Sequence, residues 1–328
     1  MKILYIGGTG QISFDCVHES VRAGHEVHVF NRGHHNDGLP SEARLITGDM
    51  NDDAAYRQLA EQQFDVVNQF RVFKPDQLRR DIETFAGRCG QYLFISSASA
   101  YQKPVRRHVI TEAVPLENPY WGYSRDKAAC EALLTSQDRL PYTIVRPSHT
   151  SHTDWPTAYG DSKEAVLRML EGKPVLVPGD GTSLWTITRS EDFAPPYVKL
   201  FGNPEAMGEA FHLTSDNAYM WNEIYRAIAR AVGAPEPRLV HVPSETMIRY
   251  HPAWEGPLLG DKTWSVTFDN RKIKSVVGEF TCPTTLDQFM QRVAKHFDRT
   301  QAEADRDAKL TALIDRIIAE QETLGGEA

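Results

Sequence analysis

The stretch KILYIGGTGQIS, residues 2–13, decides the fold. A short apolar strand runs directly into a glycine-rich turn, and a helical pattern follows until Gly24 ends it. Gly7 permits the tight turn, and Gly10 lets the backbone approach a pyrophosphate, whose charge then lies at the helix N-terminus. An ordinary turn between a strand and a helix is the alternative. We expect a dinucleotide to contact this turn at Gly7, Thr9, Gly10, Gln11 and Ile12.

The end of the second strand, residues 26–30, selects between the two nicotinamide coenzymes. An acidic residue here accepts hydrogen bonds from the ribose hydroxyls of NAD, whereas a positive side chain accommodates the extra phosphate of NADP. The chain has Asn31 and Arg32, so no carboxylate repels the phosphate and a guanidinium matches it. We therefore expect the cofactor to be NADP rather than NAD, with a solvated loop arginine as the alternative.

Strands and helices alternate as far as Pro147. A third strand, 43–48, ends at Asp49 and Met50, which we expect to border the adenine. The remaining alternation comprises helices 53–62, 76–88 and 121–136 and strands 64–68, 91–96 and 142–146. This order predicts an α/β fold, a doubly wound parallel sheet of the Rossmann type, with its ligand sites at the carboxyl ends of the strands.

Tyr123 and Lys127 lie four residues apart, on one face of a predicted helix. The ammonium should then stabilise the phenolate and lower the tyrosine pKa from its ordinary value near ~10 toward working pH, where the phenol serves as general acid or base. Ser97 belongs to a hydroxyl cluster that follows strand 91–96 and supplies a hydrogen-bond donor. A solvated helix face is the alternative for the pair, since short motifs match by chance.

After Pro147 the alternation gives way to polar, irregular segments, short strands, prolines and tryptophans. We read this half as a smaller C-terminal substrate lobe that is discontinuous in sequence. The expected division is a Rossmann domain over 1–150 and about 182–201, the substrate lobe over 151–181 and 202–298, and a helical tail over 299–328.

The tail carries an apolar stripe at helical spacing on an otherwise charged segment, 300–324. The stripe consists of Leu310, Leu313, Ile314, Ile317 and Ile318. A stripe of this kind docks either on the body of the same chain or on a second subunit. We expect it to support packing or assembly rather than chemistry, and we expect a homodimer.

Composition limits the partners. The 328 residues carry a net charge of -8 and a pI near 5.9, which provides no electrostatic attraction to nucleic acid or to an anionic membrane. The 4 cysteines are scattered without a CxxC pair, so we expect reduced thiols and no metal site. No apolar run is long enough for a bilayer span or a signal sequence, so the expected location is cytoplasmic.

The chain resembles an extended short-chain dehydrogenase/reductase of the NAD-dependent epimerase/dehydratase family, from Met1 to about Asp298. The resemblance rests on the motifs GGTGQIS (7–13), ISSASAY (95–101), YSRDK (123–127) with Glu131, VRP (145–147) and GDG (179–181). It implies that Ser97 is the catalytic serine, that Tyr123 is the acid/base, and that Lys127 is its partner and a ligand of the coenzyme ribose.

Two departures from the family pattern bear on the substrate. Trp185 stands where nucleotide-sugar members usually carry an arginine for the nucleotide phosphates, and the run SHT, 148–150, replaces a frequent asparagine. An indole stacks on a sugar face but cannot pair with a phosphate. The alternatives are that Trp185 belongs to the core, that Arg189 or Arg249 clamps the phosphates, and that His149 is structural. The expected substrate residues are Ser97, Ser99, His149 and Trp185.

These residues predict hydride transfer between NAD(P) and a secondary alcohol carbon of a sugar-like substrate, as in an epimerase or dehydratase. Tyr123 takes or returns the hydroxyl proton while Ser97 hydrogen-bonds the oxygen. One alternative is an NADPH-dependent reductase of a keto-sugar or another small carbonyl compound. Another is a repurposed RNA-binding relative, because the chloroplast stem-loop proteins of this family act on RNA. The acidic pI and the intact Ser97, Tyr123 and Lys127 argue against it.

Overall fold

The computed structural model describes residues 1–325. The elements of the first half are β1 (Lys2–Ile6), α1 (Ser13–Arg22), β2 (Glu26–Asn31), β3 (Arg44–Thr47), α2 (Asp53–Arg57), β4 (Phe64–Gln69), α3 (Pro75–Phe85), β5 (Cys89–Ile95), β6 (Val109–Ile110), α4 (Gly122–Thr135) and β7 (Tyr142–Pro147). Those of the second half are β8 (His149–Ser151), α5 (Ser162–Leu170), β9 (Val175–Pro178), β10 (Leu184–Trp185), β11 (Ile187–Arg189), α6 (Ser190–Val198), β12 (Ala210–Leu213), β13 (Tyr219–Met220), α7 (Trp221–Ala231), β14 (Leu239–Val242), α8 (Ser244–Tyr250), α9 (Glu255–Pro257), β15 (Thr267–Phe268), α10 (Arg271–Val277), α11 (Leu286–Ala294), α12 (Arg299–Ala304) and α13 (Ala308–Gly325).

Seven strands form one parallel sheet in the order β12-β7-β5-β4-β1-β2-β3. β1 lies inside it, with Ile3 paired to Val27 of β2 on one side and to Val66 of β4 on the other. The winding direction reverses between β1 and β4, and ligands of such sheets bind outside the carboxyl ends of the strands at that point. The predicted doubly wound α/β fold is confirmed.

Both faces of the sheet are buried because successive side chains of a strand point to opposite sides. In β1, Ile3 and Tyr5 join the core that α1 and α6 cover, whereas Leu4 and Ile6 join the core that α3 and α4 cover. A strand that is buried on both faces is a continuous apolar run, which is why ILYI was readable as the first strand.

A second hydrophobic core lies within residues 155–318. It gathers the apolar faces of α5, α7, α11 and the parallel strand pair β9 and β14, with Trp185 and Trp221 among its buried side chains. This core occupies the region that the sequence assigns to the substrate lobe. The domain boundaries themselves stay a prediction.

One strand lies outside its predicted domain. β12 pairs with β7 at the edge of the large sheet, with Phe211 opposite Val145, although the sequence places 202–298 in the substrate lobe. Ile273 of α10 also packs into a core of this sheet. β12 has only 4 residues, so it is too short to be distinguished by pattern from the short strands around it.

The single tail helix predicted over 300–324 is two helices, α12 and α13. Asp307 lies between them and accepts hydrogen bonds from two backbone N–H groups of the next turn, at 2.8 and 3.3 Å, so it starts a new helix. Three isoleucines of the stripe, Ile314, Ile317 and Ile318, are buried in the second core. The stripe therefore docks on its own chain, and residues 326–328 of the predicted tail lie outside the described residues.

No helix within residues 1–325 is both long and apolar enough to cross a membrane. In the same part of the chain, the His, Cys, Asp and Glu side chains form no group of three or more that could hold a metal ion.

Candidate active site

A cavity of about 340 Å³ lies at the carboxyl ends of β1, β2 and β3, and we call it the glycine-loop cavity. The predicted coenzyme residues that line it are Gly7, Thr9, Gly10, Asn31, Arg32, Asp49 and Met50. The segment that leads from β4 into α3 closes one side with Arg71, Phe73 and Gln77. Structure and sequence thus agree on which backbone turn and which two strand ends form this cavity.

The turn after β1 has the geometry that a pyrophosphate requires. Gly7 has φ +86°, and a Cβ there would lie 2.4 Å from the Arg71 side chain. Ser13 replaces the usual third glycine, and its hydroxyl donates to the Gly7 carbonyl and accepts from the Gly10 N–H. Ile12, the N-cap residue of α1, makes no side-chain hydrogen bond to the first turn, which leaves helix N–H groups there for an anion apart from that of Phe14, which donates to the Gly10 carbonyl at 3.1 Å. The residues present therefore fit a dinucleotide.

Gln11 and Ile12 do not line the glycine-loop cavity. The Gln11 side-chain oxygen accepts hydrogen bonds from the N–H groups of His152 and Thr153, at 3.1 and 2.8 Å, so it ties the turn to the loop after β8. Ile12 packs against the core beneath α1. The side chains of these two residues are therefore engaged elsewhere. A coenzyme contact through their backbone N–H groups remains a prediction.

The far end of the glycine-loop cavity is lined by basic side chains and one carboxylate. Arg32 is exposed at the end of β2, with His34 and His35 beside it. Asn31 holds this turn, because its side-chain oxygen accepts from the Gly33 N–H at 2.8 Å. The end of β3 adds one carboxylate, Asp49, which accepts from the N–H of the residue two positions later. The cavity thus contains a carboxylate that the sequence argument about β2 did not weigh.

A second cavity, of about 270 Å³, lies at the carboxyl ends of β5 and β7, and we call it the tyrosine cavity. It brings together the predicted residues Ser97, Ser99, Tyr123, His149 and Trp185. Sequence reasoning missed the residues that complete its wall, among them Tyr101, Lys103, Trp121, Asp261, Lys262 and Phe268. The two cavities adjoin, because Phe73 of the first has its ring 6.4 Å from the ring of Tyr123 in the second.

Ser97 begins a short 3-10 turn, Ala98–Ala100, at the end of β5. Its hydroxyl lies 2.8 Å from that of Ser99, which in turn lies 2.8 Å from the hydroxyl of Ser124 on α4. This chain of hydroxyls holds the β5 end against the first turn of α4, where Tyr123 stands. The serine and the tyrosine are therefore positioned by the same contact.

Burial raises the pKa of Tyr123, and the nearby Asp261 raises it further, while the hydrogen bond with Ser97 lowers it. The predicted lowering of the Tyr123 pKa by Lys127 was wrong for the protein alone. The reason is geometric: the Lys127 ammonium lies 5.9 Å from the centroid of the tyrosine ring and points to other partners. The phenol is therefore protonated at neutral pH in this state.

The Lys127 ammonium donates to the carbonyls of Val72 and Ile95, at 2.7 Å each. It also lies over the rings of Phe73 and Phe94, at 4.9 and 4.8 Å. Burial lowers the pKa of this lysine to about 8. Lys127 lines neither cavity and instead ties the segment after β4 to the end of β5, so its contact with a ribose stays a prediction.

His149 and Trp185 belong both to the protein interior and to the cavity wall. Burial, followed by the nearby Lys262, lowers the pKa of His149 to about 3, so the imidazole is neutral. Trp185 is 3% exposed and stacks on Trp221 at 5.4 Å. Within residues 1–325 neither Nε2 of His149 nor Nε1 of Trp185 has a hydrogen-bond partner. These are the polar atoms that a ligand would satisfy.

The two arginines considered as phosphate clamps do not line the tyrosine cavity. Arg189 is buried, and its guanidinium donates to the carbonyl of His152. Arg249 is exposed on α8. Among the described residues, no arginine lines the tyrosine cavity beside Trp185.

The model of the NAD dependent epimerase/dehydratase family matches residues 3–213. The chain belongs to this family. The recognised resemblance is confirmed, and the family is one of NAD-dependent enzymes. The sheet, the glycine turn and the Ser97–Tyr123 wall all lie within the matched residues.

The relatives of this chain differ in the activities that their names describe. The chloroplast stem-loop binding protein of 41 kDa b of Arabidopsis thaliana is 28% identical over 256 residues, which are 73% of this chain and 65% of that protein. The chain thus spans less than two thirds of that relative. The 2'-dehydrokanamycin reductase of Streptomyces kanamyceticus is 25% identical over 253 residues, 75% of this chain and 70% of that protein.

The fold is shared with solved epimerases. The UDP-glucose 4-epimerase of Thermotoga maritima, solved with UDP-glucose, superposes with a TM-score of 0.71 at 17% identity. The superposition covers 92% of this chain and 100% of that one. This likeness establishes a common architecture and leaves the substrate to be argued from the tyrosine cavity.

Proposed function

We propose that the protein is an NAD(P)-dependent oxidoreductase of the sugar epimerase/dehydratase type. It acts at a secondary alcohol carbon of a sugar-like substrate, with Tyr123 exchanging the hydroxyl proton and Ser97 hydrogen-bonding the same oxygen. NAD(P), held in the glycine-loop cavity, would supply the hydride acceptor or donor. Gly7, Gly10 and the N-terminus of α1 would bind its pyrophosphate, and Arg32 and Asp49 would face its adenosine end.

One observation carries this proposal: Ser97 and Tyr123 face one cavity that adjoins the glycine-loop cavity. A reacting carbon must contact a proton-transfer group and a hydride carrier at the same time. The adjacency of the two cavities provides that arrangement. Phe73 lines the glycine-loop cavity on the side that faces Tyr123. The Lys127 ammonium contacts the Phe73 ring at 4.9 Å and helps to hold it there.

The reductase alternative has an observation of its own in its favour. The Tyr123 phenol carries its proton at neutral pH, and its hydrogen bond with Ser97 places it in the tyrosine cavity in the form that can donate to a carbonyl oxygen, although burial, which raises its pKa, makes it a weaker acid. Proton donation is the step that a keto-sugar reductase needs. The Streptomyces relative is a 2'-dehydrokanamycin reductase, which supports the same interpretation.

Arg32, exposed at the end of β2, supports NADP over NAD as the coenzyme. Its guanidinium has no partner among the described residues, so it is free to pair with a 2′-phosphate. Asp49 on the neighbouring strand end is the opposing feature. Assembly as a homodimer in the cytoplasm stays a prediction from the sequence, and sedimentation of the purified protein tests its first half.

RNA binding is the candidate from another class, because the Arabidopsis relative carries a stem-loop binding name. A net charge of -8 opposes it. A filter-binding titration against a stem-loop RNA at two salt concentrations tests it, since phosphate contacts weaken steeply with salt. If RNA binds with an affinity that falls steeply with salt, and Tyr123→Phe leaves that affinity unchanged, RNA binding would be favoured over the enzymatic function.

The direct test incubates the protein with each coenzyme, oxidised and reduced, and a panel of free, nucleotide-linked and keto-sugars. Coenzyme absorbance reports net oxidation or reduction, and the sugar composition reports epimerisation, in which the coenzyme is regenerated. Tyr120→Phe, three positions away and outside both cavities, is the matched control for Tyr123→Phe. Turnover that Tyr123→Phe leaves unchanged would contradict the proposed acid/base.

A further inference from the structure

The tyrosine cavity contains a lysine that forms no salt bridge with any of the described residues. Lys262 lines it from a π-helical turn, Leu258–Lys262, and its ammonium lies 5.8 Å from the ring of Trp121 and 5.7 Å from that of Trp185. Among residues 1–325 it has no hydrogen-bond acceptor and no carboxylate within salt-bridge distance. π-helical turns are frequent at functional sites, and an ammonium that has no salt-bridge partner in such a place suits an anionic ligand.

The chain is built to bring this turn close to Tyr123. A Cβ at Gly256 would lie 2.4 Å from the indole of Trp121, and one at Gly260 would lie 2.8 Å from the Trp121 side chain, so both glycines allow the segment to press on it. Asn118 donates to the carbonyls of Ser99 and Gly260, at 2.7 and 2.6 Å. The wall that carries Ser97 and the turn that carries Lys262 are thereby joined by one amide.

The wall around Lys262 offers donors and positive charge. In the part of the chain that the structure describes, Trp185 contributes a buried Nε1 without a hydrogen-bond partner, and the Lys103 ammonium, on a side chain that is 5% exposed, donates only to the carbonyl of Tyr101 at 3.3 Å. Asp261 is the one carboxylate among the lining residues of this cavity. By formal charge, two lysines against one aspartate give this wall one excess positive charge, which disfavours a cationic sugar and suits one anionic group.

Burial acts on these charges in the expected directions. It lowers the pKa of Lys262 and raises that of Asp261, and the attraction between the two opposes both shifts. Each charge is therefore held at a cost of desolvation. An anionic group on a ligand would relieve this cost for the lysine, because a charge-assisted hydrogen bond is the strong kind.

We propose that Lys262 is the anion anchor of the tyrosine cavity and that the substrate is a sugar bearing a carboxylate or a phosphate group. The ammonium of Lys262 and the indole N–H of Trp185 bind the anion, which directs a ring hydroxyl toward Ser97 and Tyr123. This inference rests on the proposed function for the identity of the reacting carbon. The binding of the anion itself needs no turnover.

The test is calorimetric binding to the protein preloaded with coenzyme. The probes are D-glucose, D-glucuronate and D-glucose 6-phosphate, which carry a hydroxyl, a carboxylate or a phosphate at C6, and D-glucosamine, which carries an ammonium at C2. The proteins are the native chain, Lys262→Met, Lys262→Arg and the control Lys199→Met, which removes an exposed lysine far along the chain. Melting temperature shows whether each variant is folded.

At least one anionic probe should bind the native protein about ten- to a hundredfold more tightly than glucose, with glucosamine weakest. Lys262→Met should remove that preference, while Lys262→Arg and Lys199→Met retain it. A native protein without preference for either anion, or a preference that survives Lys262→Met, would overturn the anchor. Tyr123→Phe serves to separate the two proposals: if it keeps both the anion preference and full turnover, the acid/base assignment fails and the anchor stands.

Discussion

The two cavities of the candidate site are built in different ways. Residues between 6 and 77 line the glycine-loop cavity, and its binding groups are the backbone of a turn and the start of a helix. Side chains between 97 and 268 line the tyrosine cavity, and they come from the sheet and from the second core alike. A cavity made by local backbone geometry has a spacing that the sequence displays. A cavity made by distant side chains acquires its composition only through folding.

The largest expected effect separates the cavities by function. Tyr123→Phe should lower turnover by a factor of about 10²–10⁴, the weight of a positioned proton-transfer group, since it removes only the hydroxyl that faces Ser97. Coenzyme affinity should stay within the range of the native protein, because Tyr123 lines only the tyrosine cavity. Steady-state kinetics and coenzyme titration measure both. If Tyr123→Phe also weakened coenzyme binding, Tyr123 would contribute to the coenzyme site, contrary to this separation of the two cavities.

The next effect concerns stability of the region around the second core. Ile317→Ala should lower the free energy of unfolding by about 2–5 kcal/mol, because Ile317 is 0% exposed and the deletion leaves a cavity. Denaturant unfolding measures it, with Thr323→Ala on the exposed side of the same helix as control. Coenzyme affinity should not change, since the glycine-loop cavity rests on other cores.

Removal of the whole tail after Asp298 extends this test. The truncated chain should melt earlier, because three isoleucines leave the second core. If truncation abolished turnover while the melting temperature and the sedimentation stayed fixed, the tail would carry chemistry, contrary to the prediction.

The third effect tests the far end of the glycine-loop cavity. Arg32→Ala should weaken NADP binding by about ten- to a hundredfold, since a hydrogen bond to a charged group contributes roughly 1.5–3 kcal/mol. NAD binding should be unaffected if the guanidinium meets the phosphate, and equally weakened if it stacks on the adenine. Titration of both coenzymes into both proteins distinguishes these cases. Equal affinity of the native protein for NAD and NADP would contradict the predicted preference for NADP.

Particular residues show where sequence reasoning reached its limit. Gly7 and Gly10 were readable because a glycine turn after a strand has one geometry, and Tyr123 was readable from a motif. Asp261 and Lys262 were missed because no spacing marks them. Their place depends on the fit of Gly256 and Gly260 to an indole more than a hundred residues earlier in the chain.

The Tyr123 pKa was predicted in the wrong direction for a related reason. Helical spacing correctly puts Tyr123 and Lys127 on one face of α4. It does not reveal that the ammonium is held by the carbonyls of Val72 and Ile95, from two other segments. The sequence predicts that the two side chains are close on one helix. It does not predict the carbonyl groups that bind the ammonium in place of the phenol, because the tertiary fold brings them there.

The smallest expected effect is a pH dependence of the free energy of unfolding, which tests the contact of the Lys127 ammonium with the carbonyls of Val72 and Ile95. Burial lowers the pKa of Lys127 to about 8 in the folded protein, against about 10.4 in an unfolded chain. Between those values the unfolded state binds a proton that the folded state has released, so the contribution of Lys127 to stability rises with pH, by up to about 1.4 kcal/mol per pH unit. Below pH 8 both states are protonated, and the contribution is constant.

Lys127→Met removes this titration while retaining a long apolar side chain. The free energy of unfolding of the native protein minus that of Lys127→Met, measured by denaturant at pH 7.5, 8.5 and 9.5 without coenzyme, should therefore increase between the last two values by more than between the first two. Other titrating groups cancel because both proteins contain them. A flat difference for Lys127 would mean that its two carbonyl acceptors keep the ammonium charged against desolvation. The lysine would then stay charged across this pH range, although its ammonium would still lie 5.9 Å from the centroid of the Tyr123 ring and donate to Val72 and Ile95.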